Sequence, residues 1–285
     1  MLGNFIKGAL TEFFSGDYKK IPWLKLKVRI LTSKILSPLK KRTASDYLYM
    51  QRRQYDAAAK VASVKSGVLI GDCVAVVKWE LHDSFPDYRK YLFAGLRDTQ
   101  SLTALEYGCG PGRNLLNWWP EFHRIDGVDI SSGNLNNAKK LLFSVIPEER
   151  FPNLYLTNGA DTGDAQSNTY DFCFSVICLQ HIAVWTTRQS ILIDLYRVLK
   201  TNGILGVQMA MGVRPGVKLQ TVSYRENRFN AGVTNGGCDV RIDDPDEMVA
   251  DLKAIGFKEI KYNIASVPEK ISGVFENFIY FTALK

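Results

Sequence analysis

Glu106 stands two residues ahead of three glycines spaced two apart, Gly108, Gly110 and Gly112, and Asp129 lies 21 positions beyond Gly108. Glycines at that spacing let the main chain take conformations closed to other residues and let a ligand approach the backbone, while a helix starting just beyond presents unpaired N–H groups. Glycine turns also arise for purely structural reasons, but here the neighbouring residues suit a small polar ligand. The dinucleotide fingerprint G-x-G-x-x-G would need glycine at 113, where the chain has Arg113. An acid beside the loop suits an ammonium better than phosphates. Asp129 sits close to the roughly 20-residue step at which an acid meets ribose hydroxyls in nucleotide-binding α/β folds. Gln180 and His181 end the apolar run that begins at Tyr170. Imidazole, with a reference pKa of about 6.5, can serve as a general base, and an amide can orient an acceptor hydroxyl or amide. His181 can equally cap the next helix or pack in the core. Cys173 and Cys178, with no neighbouring base or cation, read as buried, unreactive thiols.

The elements that must hold these groups follow from hydrophobic periodicity. Leu102 to Tyr107 is a short apolar strand, and an amphipathic helix starts at Asn114. Arg124 to Ile130 is a second buried strand ending in acid. A helix over Asn134 to Val145, a strand over Asn153 to Thr157, a polar turn Asn158-Gly159-Ala160-Asp161 and a strand over Tyr170 to Ile177 come next. The helix Thr186 to Leu199 is expected to end at Gly203, followed by the strand Ile204 to Met211. Strands and helices alternating at this rhythm predict a parallel sheet with helices on both faces. Asp243-Asp244-Pro245-Asp246 opens a last helix to Ile255 with Gly256 as terminator. Phe257 to Ile264 and Phe275 to Ala283 are the final strands.

E-x-G-C-G-P-G-R from Glu106, G-V-D-I-S from Gly127, N-G-x-D from Asn158, the run Tyr170 to Ile182 and R-V-L-K-x-N-G from Arg197 together resemble the class I methyltransferases that use S-adenosylmethionine. The resemblance covers Leu102 to Met211 in motif detail. It implies an α/β fold, a seven-stranded and mostly parallel Rossmann-like sheet with helices on both faces and the last two strands closing it as an antiparallel pair. It implies S-adenosyl-L-methionine as cofactor and S-adenosyl-L-homocysteine as product. The glycine loop would hold the methionine part through Glu106, Gly108, Cys109, Gly110 and Gly112. Asp129 and Ile130 would meet the ribose, Asn158, Gly159, Ala160 and Asp161 the adenine, and Ser175 and Val176 would flank the cofactor. His181 and Gln180 are then the candidate catalytic pair.

The remaining chain divides into three expectations. Residues 1–43 hold ten Lys/Arg against Glu12 and Asp17, a net of +8 within a total of +7, so the other 242 residues carry −1. A near-neutral domain gives no support to a phosphate-tracking surface, which argues against nucleic acid as partner. The leader is basic and amphipathic (Leu2, Phe5, Ile6, Leu10, Phe13; Leu24, Val28, Leu31, Ile35), suited to a peripheral membrane surface, to a partner protein or to an apolar edge of its own domain. Residues 44–100 read as an N-terminal helical cap whose aromatic and polar groups, among them Tyr55, Trp79, His82, Asp83, Phe85 and Tyr88, either close over the cofactor, with Tyr55 in its site, or serve simple helical packing. Residues 101–285 form the catalytic domain, with a substrate lid at 212–241, too long for an ordinary connection and rich in hydrogen-bonding groups. Tyr224, Asn227, Asn230 and Asn235 are its candidate acceptor contacts, with Gly236-Gly237 as hinge. Five cysteines without a C-x-x-C pair suggest neither a disulfide framework nor a metal site, and no apolar run spans a bilayer, which fits a cytoplasmic protein. The expected activity is methyl transfer to an O or N of a small polar acceptor, such as a sugar or glycan precursor. The alternatives are an RNA or protein methyltransferase and a non-catalytic module that binds the cofactor or a partner.

Overall fold

The computed structural model describes residues 42–61, 63–65, 68–70, 88–93, 95–217, 221–230, 240–267 and 274–285. The expectations placed on residues 1–41, on Trp79, His82, Asp83 and Phe85, and on Asn235 with the 236–237 hinge lie outside the described residues. From Ala44 the chain opens with helix α1 (Ala44–Val61), a short antiparallel hairpin of β1 (Ser63–Lys65) and β2 (Val68–Ile70), and α2 (Tyr88–Leu92).

The apolar runs become the strands β3 (Thr103–Tyr107), β4 (Arg124–Asp129), β5 (Leu154–Leu156), β6 (Tyr170–Ser175) and β7 (Leu199–Val213). Between them lie α3 (Arg113–Trp118), α4 (Ser132–Phe143) and α5 (Trp185–Val198). Two short strands, β8 (Val222–Ser223) and β9 (Val240–Ile242), precede α6 (Pro245–Ile255), β10 (Lys258–Ser266) and β11 (Phe275–Leu284). The main path runs β10-β11-β7-β6-β3-β4-β5. Pairs from β7 to β5 are parallel, and β11 enters antiparallel between β7 and β10. This is the seven-stranded, mostly parallel sheet expected, with β8 and β9 added beside β7.

Alternation along the strands feeds two cores, one on each face. Leu105, Val128, Cys173 and Val207 pack with Ile191 and Leu195 of α5, and Ala104, Ile125, Phe172 and Phe174 with Leu115, Trp118 and Leu142 of α3 and α4. Parallel strands covered on both sides are buried at nearly every position, as β3, β4 and β6 are.

Two local expectations change. α5 stops at Val198, where Lys285 Nζ donates to the carbonyls of Arg197 and Leu199, and the left-handed turn is made by Asn202 (φ 65°). Gly203 serves close packing instead: a Cβ there would lie 2.9 Å from the Lys200 carbonyl oxygen. The expected lid is partly sheet, because β9 pairs with β7 at Ala210 and Met211. Its described part is stitched to the chain after β6. Trp185 N donates to Glu226 O, Arg228 N to Ala183 O, and Val184 bridges Asn227.

Candidate functional site

A cleft opens at the carboxyl ends of β3, β4 and β6, where open α/β sheets bind ligands. Glu106, Tyr107, Gly108, Cys109, Gly110 and Asn114 form its floor, Asp129, Ile130, Asn134 and Gly159 one side, and Val176, Ile177, Cys178 and Ile182 the other. Gly108 is obligatory there, with φ 78° and a hypothetical Cβ only 2.2 Å from Cys178 Sγ, so the loop seats directly on the chain leaving β6.

Glu106 is almost fully buried, at 2% exposure. Asn114 Nδ2 donates to its Oε1 at 2.5 Å, while Oε2 has no partner. Burial pushes its carboxyl up to about 8, against the Asn114 hydrogen bond and the Arg113 charge, which pull it down. Asp129 is also buried. Its Oδ2 accepts from Gly110 N at 2.9 Å, and its Oδ1 from Ser131 N at 2.8 Å and Asn134 Nδ2 at 3.2 Å. Burial raises this carboxyl too, outweighing the three hydrogen bonds. The second acid therefore pins the glycine loop as well as facing the cleft.

α1 covers this floor with Tyr47, Leu48, Gln51, Gln54, Tyr55, Ala58 and Ala59. It is fixed at three places: the Tyr47 hydroxyl accepts from Ala183 N, Arg52 donates to Thr157 O, and Asp56 accepts from Ser131 Oγ. Tyr55 is among the residues that line the cleft. Tyr47, Gln51 and Gln54 went unread in the sequence, although 47, 51 and 55 repeat at helical spacing on one face.

In the turn after β5 only Gly159 lines the cleft, against Ile130 and Leu48. Asp161 is occupied within the turn, accepting from Thr157 Oγ1 at 2.8 Å, from Gly163 N at 3.0 Å and from Asn158 Nδ2. Asn158 Oδ1 accepts from Ala160 N. Ser175 Oγ donates to Tyr107 O and ties β6 to β3. Gly112 begins α3 behind the loop.

The chain leaving β6 is strained. Ile177 has φ 48°, a left-handed conformation that costs a β-branched residue on the order of 1–3 kcal/mol. Its N–H donates to Gln208 Oε1 at 2.7 Å, and Gln208 Nε2 donates to Gln180 Oε1 at 2.9 Å. Gln180 is thereby buried and fixed. His181 lies in the one-turn helix Leu179–His181, where its carbonyl accepts from the Tyr47 hydroxyl at 3.4 Å. Burial pushes the Cys178 thiol up to about 12, and Cys173 is fully enclosed, so neither supplies a thiolate.

Three residues expected on the acceptor side do not line this cleft. Tyr224 is buried beneath the Arg188 guanidinium, 5.1 Å from the ring centroid. Asn227 Oδ1 accepts from Thr186 N at 3.0 Å and so caps α5. Asn230 is on the surface.

Residues 105–207 match the family model described as methyltransferase domain. Over that stretch the chain is similar to methyltransferase domains. A search of curated proteins finds no match. Among solved structures, the Burkholderia thailandensis 1,6-didemethyltoxoflavin-N1-methyltransferase is similar over 86% of this chain and 92% of its own, with a TM-score of 0.59 and 16% identity. The Haemonchus contortus phosphoethanolamine N-methyltransferase 2, in complex with S-adenosyl-L-methionine, is similar over 69% of this chain with a TM-score of 0.51 and 17% identity, and the chain spans about 50% of its length. The [4+2]-cyclase SpnF matches over 86% of this chain and 96% of its own, with a TM-score of 0.54 and 14% identity. At these identities the likeness is one of fold. The matched segment runs from β3 into β7 and includes Glu106, Asp129 and His181. α1 and the stitched segment after β7 lie outside it.

Proposed function

We propose that this chain transfers a methyl group from S-adenosylmethionine to an oxygen or nitrogen of a small polar acceptor, a sugar or glycan precursor among the candidates. The observation that carries the cofactor reading is that Glu106, which lines a cleft beside a second acid, is buried with its Oε2 left without a hydrogen-bond partner. An ammonium would fill the first, and a ribose hydroxyl the one lone pair that three hydrogen bonds leave on Asp129. Arg113, also on the cleft wall, suits the carboxylate of the same amino-acid end. Gly159, packed against Ile130 and Leu48, adds an apolar edge to the cleft on which a base would rest.

When bound, the cofactor supplies an already activated methyl. The chain's part is then to hold an acceptor in line, keep water out and take up its proton. α1 covers the cleft, and the strained turn at Ile177 sets the wall opposite it. His181 is the candidate base and Gln180 the orienting amide. Tyr224, Asn227, Asn230 and Asn235 remain candidates for the acceptor side, with residues 212–241 as its cover. The near-neutral charge of residues 44–285 favours a small acceptor over RNA. The neighbours named as acting on phosphoethanolamine and on 1,6-didemethyltoxoflavin support the same class. A cytoplasmic location, with the basic residues 1–43 docking on a membrane or protein, belongs to this reading.

Because a cyclase shares the fold, binding and transfer are tested separately. Calorimetry with S-adenosylhomocysteine tests the cleft. Label transfer from methyl-labelled cofactor into extract compounds then tests the reaction: binding without transfer to any compound favours a non-catalytic module. With an acceptor in hand, His181→Asn lowers turnover by about 100-fold or more while cofactor affinity stays within about twofold. Full turnover in that variant removes His181 from the mechanism.

A further inference from the structure

Gln208 lies on β7, fully buried, in a strand whose neighbours Val207, Met209 and Ala210 are apolar. A buried amide in an apolar sheet is costly unless both ends are used. Here both ends go to the chain leaving β6: Oε1 accepts from Ile177 N at 2.7 Å and Nε2 donates to Gln180 Oε1 at 2.9 Å. Between those contacts Ile177 turns left-handed at φ 48°, and that turn brings Cys178 onto Gly108 and Gln180 inward. An isoleucine does not keep such a conformation unless its surroundings impose it.

We propose that Gln208 is a positioning residue of the cleft, which holds Ile177 left-handed and so seats the glycine loop against Cys178 while fixing the Gln180 amide. Gln208 touches no ligand itself, since it does not line the cleft. It acts through Ile177, Cys178 and Gln180, which links the cofactor floor to the start of the acceptor wall. This inference rests on the cofactor reading above.

The discriminating experiment compares Gln208→Leu in two backgrounds, wild type and Ile177→Gly. Glycine adopts the left-handed turn without help, so a residue that works by holding the turn becomes dispensable there. With S-adenosylhomocysteine as the probe, Gln208→Leu weakens binding about tenfold or more in the wild-type background and less than about threefold in the Ile177→Gly background. An equal loss in both backgrounds, or none in either, overturns the inference, because a purely packing role moves melting temperature without this dependence. If Gln208→Leu fails to fold, recovery of a folded, binding protein by adding Ile177→Gly supports the inference, and failure of the double variant overturns it. Wild-type protein that ignores S-adenosylhomocysteine overturns the cofactor reading and this inference with it. A wild type that binds while Gln208→Leu binds equally overturns this inference alone.

Discussion

Glu106→Gln separates the charge of the buried acid from its shape. The variant keeps an oxygen for Asn114 Nδ2 but places an amide where Oε2 was. In the ligand-free protein, burial lifts Glu106 from an ordinary 4.5 to about 8, with Arg113 pulling it down and Asp129 pushing it further up. Its native value lies above its unfolded one, so the native state binds the proton more tightly. The stability this contributes is complete below 4.5 and is lost as pH rises to about 8. At about 1.4 kcal/mol per unit the gap sets an upper bound near 5 kcal/mol. Relaxation around the carboxylate brings the expected loss to about 2–4 kcal/mol. Glu106→Gln lacks this ionisation, so it matches wild type near pH 4.5 and melts higher at pH 8. Asp129 is raised by the same burial, so the difference between the two proteins is the quantity to read. Ligand binding runs the other way. An ammonium against Oε2 favours the carboxylate, so S-adenosylhomocysteine expels a proton, and wild-type affinity rises about tenfold per unit from pH 6 to 8 before levelling. Glu106→Gln loses a charged contact of about 1.5–3 kcal/mol, roughly ten- to hundredfold in Kd at pH 8, and its affinity is flat. Calorimetry at pH 6, 7 and 8 in buffers of different ionisation enthalpy reads both affinity and proton release. Wild-type affinity that does not change across this range, or proton uptake on binding, would refute the reasoning.

Asp129→Ala removes the acceptor for Gly110 N as well as the proposed ribose contact, so cofactor affinity should fall by about 30-fold or more. Unchanged affinity by calorimetry sinks the assignment. Arg188 is a fully buried cation whose guanidinium donates to the carbonyls of Ile182 and Tyr224. Burial lowers its pKa to about 10. Arg188→Met leaves both carbonyls without that donor and should cost about 2–4 kcal/mol, a fall of roughly 5–10 °C in melting temperature. A fall under about 2 °C would mean that the stitch between β6 and the segment after β7 is made elsewhere.

The floor of the cleft was legible because its signals are local. Glu106, the glycines and Asp129 lie at the ends of two adjacent strands, and a strand's end followed by a glycine turn is visible without knowing the rest of the fold. Gly203 misled because a glycine after a helix reads the same whether it supplies a left-handed cap or room for the Lys200 carbonyl; here α5 ends in an extended Leu199 and the left-handed turn falls at Asn202, inside β7. Tyr224 and Asn227 were less legible for a related reason. Hydrogen-bonding groups in a long connection look alike whether they face a ligand or, as here, Arg188 and the first turn of α5. Gln208 carried a signal that went unused: it is a polar residue inside the apolar run Ile204 to Met211.

The acceptor side depends on pairings far apart in sequence, and Tyr47 shows how few groups carry them. Its hydroxyl accepts from Gln51 Nε2 at 2.9 Å and from Ala183 N at 2.8 Å, and donates to His181 O. One atom on α1 therefore binds the main chain on both sides of Ile182, a residue of the cleft wall. Seating α1 over the cofactor floor and fixing the loop that carries His181 are then a single event, since neither contact forms without the other's helix in place. Gln208 fixes the same loop at its start and Arg188 at its end. A wall held at both ends and by the cap has little freedom of its own, so in the proposed reaction acceptor choice would be set by what α1 and the segment after β7 leave open.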